Sequence, residues 1–378
     1  MIPYGRQEID DADVAAVIEV LRSDWLTTGP KVEQFERDIA HYVGAKHAVA
    51  VSSGTAALHA AMYALGITSG DEVIVSSMTF AASANCIVFQ EGLPVFADVD
   101  PDTLLIDPER VEEKIGPRTK AIVAVDYAGH PCDYDTLGVL AGKYRLKLVA
   151  DACHSLGAAL RSRPVGSLAD MSVFSFHPVK HITTGEGGMV TTDDAVFAQR
   201  MRRFRNHGIA TDHRERQSRG EWFYEMVDLG YNYRITDFQC ALGMSQLHKL
   251  NEWIDRRQRI AGRYSGAFED LPGIRPLAVR PQVSHAYHLF VIRVDAKDAG
   301  ITRDQLFRTL REQGIGANVH YIPVHLHPFY RSRFNTGAGL CPVAEHAYRE
   351  ILSLPVFPGM TDEDVETVIE AVKKAVSS

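Results

Sequence analysis

The stretch Ser175–Thr192, SFHPVKHITTGEGGMVTT, places Lys180 in a loop between two apolar runs. A lysine held between buried strands loses hydration, shifts toward its neutral amine and becomes a nucleophile toward an aldehyde. A solvated loop lysine is the ordinary alternative, but it gives no reason for glycines at 185, 187 and 188, which suit close backbone approach. Asp151 ends the apolar run of KLVADACHS. Ligands of open α/β sheets gather at the carboxyl ends of strands, and a buried carboxylate needs a partner. A protonated pyridine nitrogen would be such a partner, and the acid would keep that ring electron-withdrawing. Taken alone, Asp151 serves equally well as a helix cap. His154, three residues on, lies near such a ring or packs in the turn. In VSSGTAALHAAMYALGI, Ser53, Gly54 and Thr55 open a helix directly after a strand, where free amides and the helix dipole suit a phosphate. Many such caps bind nothing. Phe80, after EVIVS, either stacks on an aromatic ligand or is plain core.

These residues need a scaffold, and the first two-thirds of the chain supplies one. Short apolar runs occur at 48–52, 72–76, 94–99, 121–125, 147–151, 171–176 and 188–192. Such runs suit strands buried on both faces. Helical stretches at 55–65, stopped by Gly66, and at 134–145 lie between them. The alternation predicts an α/β fold with a mostly parallel central sheet sandwiched by helices. Helices at 10–23 and 31–42 precede the sheet. After Thr236 the pattern changes to a long helix from Asp237 into the 260s, a strand at 288–294, a helix at 303–313 and a closing helix at 361–375. We expect a large domain over 1–250, including the N-terminal helices, and a smaller C-terminal α/β domain over 251–378.

Bulk properties exclude several classes. The formal net charge of −8 disfavours nucleic-acid binding, which usually needs a basic excess. No apolar run approaches membrane-spanning length. The N-terminal MIPYGRQEIDDADV lacks the basic start and apolar core of a signal peptide. Five cysteines, none in a C-x-x-C pair, read as reduced thiols, so a cytoplasmic protein is expected. His320, His325 and His327 in NVHYIPVHLHP have no Cys or acidic residue among them, and no metal is expected. A dehydrogenase is excluded because no G-x-G-x-x-G joins a first strand to a helix.

Together, LTTGPKVEQFE, SSGTAALH, GDEVIV, ADVDPDTL, DACHSLGA, the lysine segment and GYNYRITDFQCALG resemble the DegT-type family of sugar aminotransferases over nearly the whole chain. These are fold type I pyridoxal-phosphate enzymes. The resemblance implies that Lys180 forms the Schiff base with pyridoxal 5'-phosphate and moves protons. Asp151 pairs with the pyridine nitrogen, Phe80 flanks the ring, and His154, where many relatives carry Gln, contacts the ring or its 3-hydroxyl. Gly54, Thr55 and Ser175 hold the phosphate. Asn232 in GYNYR reaches the phosphate of a neighbouring subunit, which implies a homodimer with shared active sites. Tyr4, Lys31, Arg234 and Tyr321 are candidate contacts for a nucleotide-sugar substrate, with L-glutamate as donor. Some deoxygenating relatives replace the lysine by His; the retained Lys180 favours transamination. SFHPVKHITTGEGG looks most like the branch that makes UDP-4-amino-4,6-dideoxy-N-acetyl-β-L-altrosamine for pseudaminic acid. Other expectations are a GDP-perosamine-type or bacillosamine-type aminotransferase, or a regulatory protein on the same fold.

Overall fold

The computed structural model describes residues 1–211 and 213–376. Its central sheet has seven strands in the order His47–Val51, Gly188–Thr192, Met171–Ser175, Lys147–Asp151, Thr119–Val125, Glu72–Ser76 and Leu93–Ala97. All seven correspond to the apolar runs of the sequence. Six share one direction, whereas Gly188–Thr192 runs antiparallel to both of its neighbours. The connections explain this. Parallel neighbours need a crossover, usually a helix, but only the lysine-bearing loop joins Met171–Ser175 to Gly188–Thr192.

The Gly54–Leu65 helix packs against these two strands. Ser53 caps it by accepting from the Ala56 amide, and Gly66, at φ 76°, ends it in the left-handed conformation. The N-terminal helices Asp11–Leu21 and Pro30–Val43 both pack on the Asp237–Leu247 helix. The long helix expected from Asp237 is two helices, Asp237–Leu247 and Leu250–Phe268. The break lies where the chain is tied to the first helix. Gln246 Nε2 donates to Asp13 Oδ2 at 2.6 Å, and Lys249 Nζ pairs with Asp10 and Asp13.

A second sheet pairs Ile274–Pro276, Phe290–Val294 and Ile351–Leu354, all antiparallel. The helices Leu250–Phe268, Arg303–Glu312 and Asp362–Val376 cover it and close a separate apolar core running from Ile260 to Val372. Leu250 and Ile254 enter the large core, while Ile260, Tyr264 and Phe268 enter the small one, so one helix ties the two together. Val324, Tyr330, Cys341 and Ala347 return to the large core. No helix among the described residues is long and apolar enough to cross a membrane.

Candidate active site

Lys180 is half-buried, in a loop held shut by its own backbone. Its amide donates to the His177 carbonyl at 2.8 Å, and the Thr184 amide returns to the Phe176 carbonyl at 3.0 Å. His181 Nε2 lies 3.1 Å from the Ala286 carbonyl, which pins the loop to the segment entering the second sheet. Burial pushes the Lys180 amine below its usual value, only partly opposed by Cys153 and Asp151. A lysine so placed has a larger neutral, nucleophilic fraction than a solvated one.

Asp151 ends its strand and is 5% exposed. Ser83 Oγ donates to its Oδ2 at 2.6 Å, and the Cys153 amide lies 3.3 Å from its Oδ1. Its partners are thus a hydroxyl and an amide, which leave the carboxylate able to take a cationic partner. A protonated pyridine nitrogen fits that requirement. The turn after Asp151 is fixed by a second acid at the end of the adjacent strand. Asp126, raised to about 6 by burial, accepts from Ser155 Oγ, Tyr134 Oη and the Cys132 amide at 2.6, 2.6 and 2.8 Å. This holds His154 in place. His154 Nε2 lies 3.1 Å from Tyr321 Oη, while its Nδ1 is buried without a hydrogen-bond partner.

The remaining expected residues divide into two groups. Gly54 and Ser175 are neighbours: a Cβ on Gly54 would fall 2.9 Å from Ser175 Cβ and 3.4 Å from Cys153 Sγ. The amides of Gly54 and Thr55 belong to the first helical turn, outside its hydrogen-bond ladder. Phe80 is exposed, its ring 6.0 Å from that of Tyr321. Tyr4 joins the same side, with its ring 5.4 Å from that of His320. Lys180, Asp151, His154, Tyr321, Phe80, Tyr4, Ser175 and the Gly54–Thr55 turn therefore line one end of the sheet.

Lys31, Arg234 and Asn232 lie outside this cluster in the single chain. Lys31 Nζ pairs with Glu19 at 3.2 Å, and Arg234 donates to Asn206 Oδ1 at 2.8 Å in a cleft shared with Arg202 and Arg203. Asn232 is exposed, next to Tyr233, whose carbonyl accepts from the Ser52 amide. His320 and His325 have different partners. His320 Nδ1 lies 2.8 Å from Ser353 Oγ, and His325 Nε2 lies 2.9 Å from Glu345 Oε1.

Sequence reasoning missed Ser83, Asp126 and His288. Asp126 had a signal, since it ends AIVAV as Asp151 ends KLVA. Ser83 and His288 had none, because their partners are distant in sequence.

The model of the DegT/DnrJ/EryC1/StrS aminotransferase family matches residues 7–373. The chain belongs to this family. It is 44% identical over 377 residues to the spore coat polysaccharide biosynthesis protein SpsC of Bacillus subtilis (strain 168), covering 99% of this chain and 97% of that one. Among solved structures, the putative sugar aminotransferase Spr1654 from Streptococcus pneumoniae, in its PMP form, superposes with a TM-score of 0.94 at 32% identity, covering 100% of this chain and 99% of that one. Helicobacter pylori PseC, an aminotransferase involved in the biosynthesis of pseudoaminic acid, superposes at 0.93 with 34% identity, covering 100% and 99%. The chain is a pyridoxal-phosphate-dependent sugar aminotransferase with the family's α/β fold.

Proposed function

We propose that the protein transfers an amino group from L-glutamate to C4 of a UDP-linked 4-keto-6-deoxy-N-acetylhexosamine, giving the 4-amino sugar and 2-oxoglutarate in the pseudaminic acid branch. One observation carries the reading: a half-buried Lys180, shifted toward its neutral amine, shares a sheet end with the buried, cation-ready Asp151. The similarity to PseC supports the branch. The higher identity to SpsC favours one alternative, another nucleotide-linked keto-sugar destined for a polysaccharide.

When bound, pyridoxal phosphate supplies an aldehyde that carries the amino group and a ring that withdraws electrons from the carbon losing its proton. Lys180 Nζ takes the proton from the donor's α-carbon in the first half-reaction and returns one to the sugar's C4 in the second. Asp151 would keep the pyridine nitrogen protonated, with Ser83 aiming its carboxylate. Gly54, Thr55 and Ser175 would hold the phosphate, and Phe80 would flank the ring. His154, hydrogen-bonded to Tyr321, would contact the ring or its 3-hydroxyl. Tyr4 and Tyr321 shape the sugar pocket, with Arg234 and the Glu19-tied Lys31 assigned to the nucleotide side.

Asn232 serves the phosphate of a second copy of this chain, so the proposed unit is a homodimer. The exposed stretch containing Trp222, Phe223, Met226, Val227 and Leu229 supports this, because so long a run of exposed apolar side chains suits an interface.

The test converts the protein to its pyridoxamine form with glutamate and adds candidate UDP-linked 4-keto-6-deoxy sugars, with the C5 epimers tested separately. Recovery of the pyridoxal absorbance with the L-arabino epimer alone supports the proposed branch. Recovery with a different keto-sugar overturns the branch, and recovery with none overturns the reaction.

A further inference from the structure

The amine of Lys180 is not alone in its pocket. Lys180 Nζ lies 3.3 Å from Nε2 of His288, a residue of the segment leading into the Phe290–Val294 strand. That segment is rigidly seated. The Ala286 amide donates to the Gly129 carbonyl at 3.0 Å, and the Leu289 amide donates to the Ala128 carbonyl at 3.1 Å. His288 is 5% exposed, its ring centroid is 4.3 Å from that of His154, and its Nδ1 is buried without a hydrogen-bond partner. Lys180 is therefore the one side chain its hydrogen bonding reaches among the described residues.

A second observation bears on the charge of the pair. Arg257 is 1% exposed, and its Nη1 donates to the carbonyls of Tyr287 and Val356 at 3.1 and 2.7 Å. Its Nε is buried with no partner. This guanidinium stands behind His288 and His181 as a permanent cation bonded to carbonyls. The charges acting on His288 are those of Lys180, His154, His181 and Arg257, while the one acid on this side, Glu8, acts on Arg257 in a cleft that Lys180 and His181 also line. A second positive charge there meets both low polarity and like charge. On the far side of Lys180 lie Asp151 and Cys153, the groups that favour its charged form.

We propose that His288 is the positioning residue for Lys180: its Nε2 accepts from the amine whenever that amine is free and holds it at the end of the sheet. The inference rests on Lys180 being the reactive lysine of the proposed function. A lysine side chain has four rotatable bonds. Released from covalent attachment, its amine would sample many positions, and each proton transfer would wait for its return. The His288 contact gives the amine one resting place. The hydrogen bond also stabilises the ammonium form that later gives up its proton.

The test compares His288→Leu, which removes the acceptor, with His288→Gln, which keeps a side-chain oxygen. The primary readout is the pH dependence of Lys180 modification by acetic anhydride in cofactor-free protein, followed by mass spectrometry. Loss of an acceptor to the ammonium form should lower the Lys180 midpoint by about one pH unit in the Leu variant, with at least partial recovery in the Gln variant. In the loaded enzyme kcat should fall by about tenfold or more for Leu, with little change in KM. An unchanged midpoint in the Leu variant, or equal loss in both variants, overturns the proposal. A wild-type measurement guards against a Leu variant that does not fold. Histidine-labelled 15N NMR should show a His288 ring that stays neutral between about pH 6 and 9, with an Nε2 shift that moves in Lys180→Ala. A ring that titrates in this range, or an Nε2 blind to Lys180→Ala, also overturns it. Failure of the keto-sugar half-reaction in wild type would instead count against the proposed function and would leave the amine midpoint readable.

Discussion

A single methyl group added at Gly188 tests whether the glycines after Lys180 serve close backbone approach. Gly188 is paired with Val51 on one side and Ser175 on the other. A Cβ there would lie 2.3 Å from the Ser53 carbonyl oxygen, 2.5 Å from its carbon and 2.8 Å from the Gly54 nitrogen. All three obstructing atoms are backbone, so no rotamer change relieves the clash, and the Ser53–Gly54 turn must move. Overpacking of this kind costs roughly 1–3 kcal/mol. The melting temperature of Gly188→Ala should fall by about 1–4 °C. The displaced turn opens the Gly54–Leu65 helix beside Ser175, so affinity for pyridoxal phosphate should drop by about tenfold, close to 1.4 kcal/mol. The assay is cofactor titration by absorbance together with thermal melting. Gly262→Ala is the control. Gly262 lies inside the Leu250–Phe268 helix, where a Cβ would meet nothing within 4 Å, and the change should be neutral or stabilising by up to about 1 kcal/mol. Wild-type melting and cofactor affinity in Gly188→Ala would refute the close-approach argument.

Two further perturbations follow from the same geometry. Asp151→Asn keeps the shape and the Ser83 contact but removes the charge proposed to face the pyridine nitrogen. A charge-assisted hydrogen bond worth about 1.5–3 kcal/mol converts to a 10- to 100-fold loss in the glutamate half-reaction, measured by single-turnover absorbance, and an unchanged rate would rule out that pairing. Acid should destabilise the fold through its buried neutral histidines. His59, His130 and His320 are each lowered to about 4 by burial, against about 6.5 in the unfolded chain. Between those values the unfolded state binds protons that the folded state excludes, so stability is present above pH 6.5 and declines as pH falls toward 4. Each histidine contributes a slope approaching about 1.4 kcal/mol per pH unit. Denaturant melts across that window should show the decline, and melts independent of pH would contradict it.

Much of this architecture is legible in the sequence because buried parallel strands leave an unambiguous trace. KLVAD, AIVAV and EVIVS are apolar on both faces, and the structure buries them on both. Direction leaves no such trace, which is why the reversal of Gly188–Thr192 emerges only from its short connection. The break between Leu247 and Leu250 is likewise set by Asp10 and Asp13, more than 200 residues away in the chain. The site divides in the same manner. Lys180, Asp151 and the Gly54–Thr55 turn sit in local patterns whose chemistry can be reasoned from neighbours. Ser83 and His288 are an ordinary serine in a helix and an ordinary histidine before a strand. They matter only because folding brings them against Asp151 and Lys180 across 68 and 108 residues.

Lys180 is the residue proposed to bind the cofactor covalently. Reducing the cofactor-loaded protein with borohydride, digesting it and locating the modified peptide by mass spectrometry tests this directly. A pyridoxyl group is expected on Lys180 within the 175–192 segment and should be lost in Lys180→Ala. A pyridoxyl group on another lysine, or none at all in protein that carries the cofactor, would contradict it.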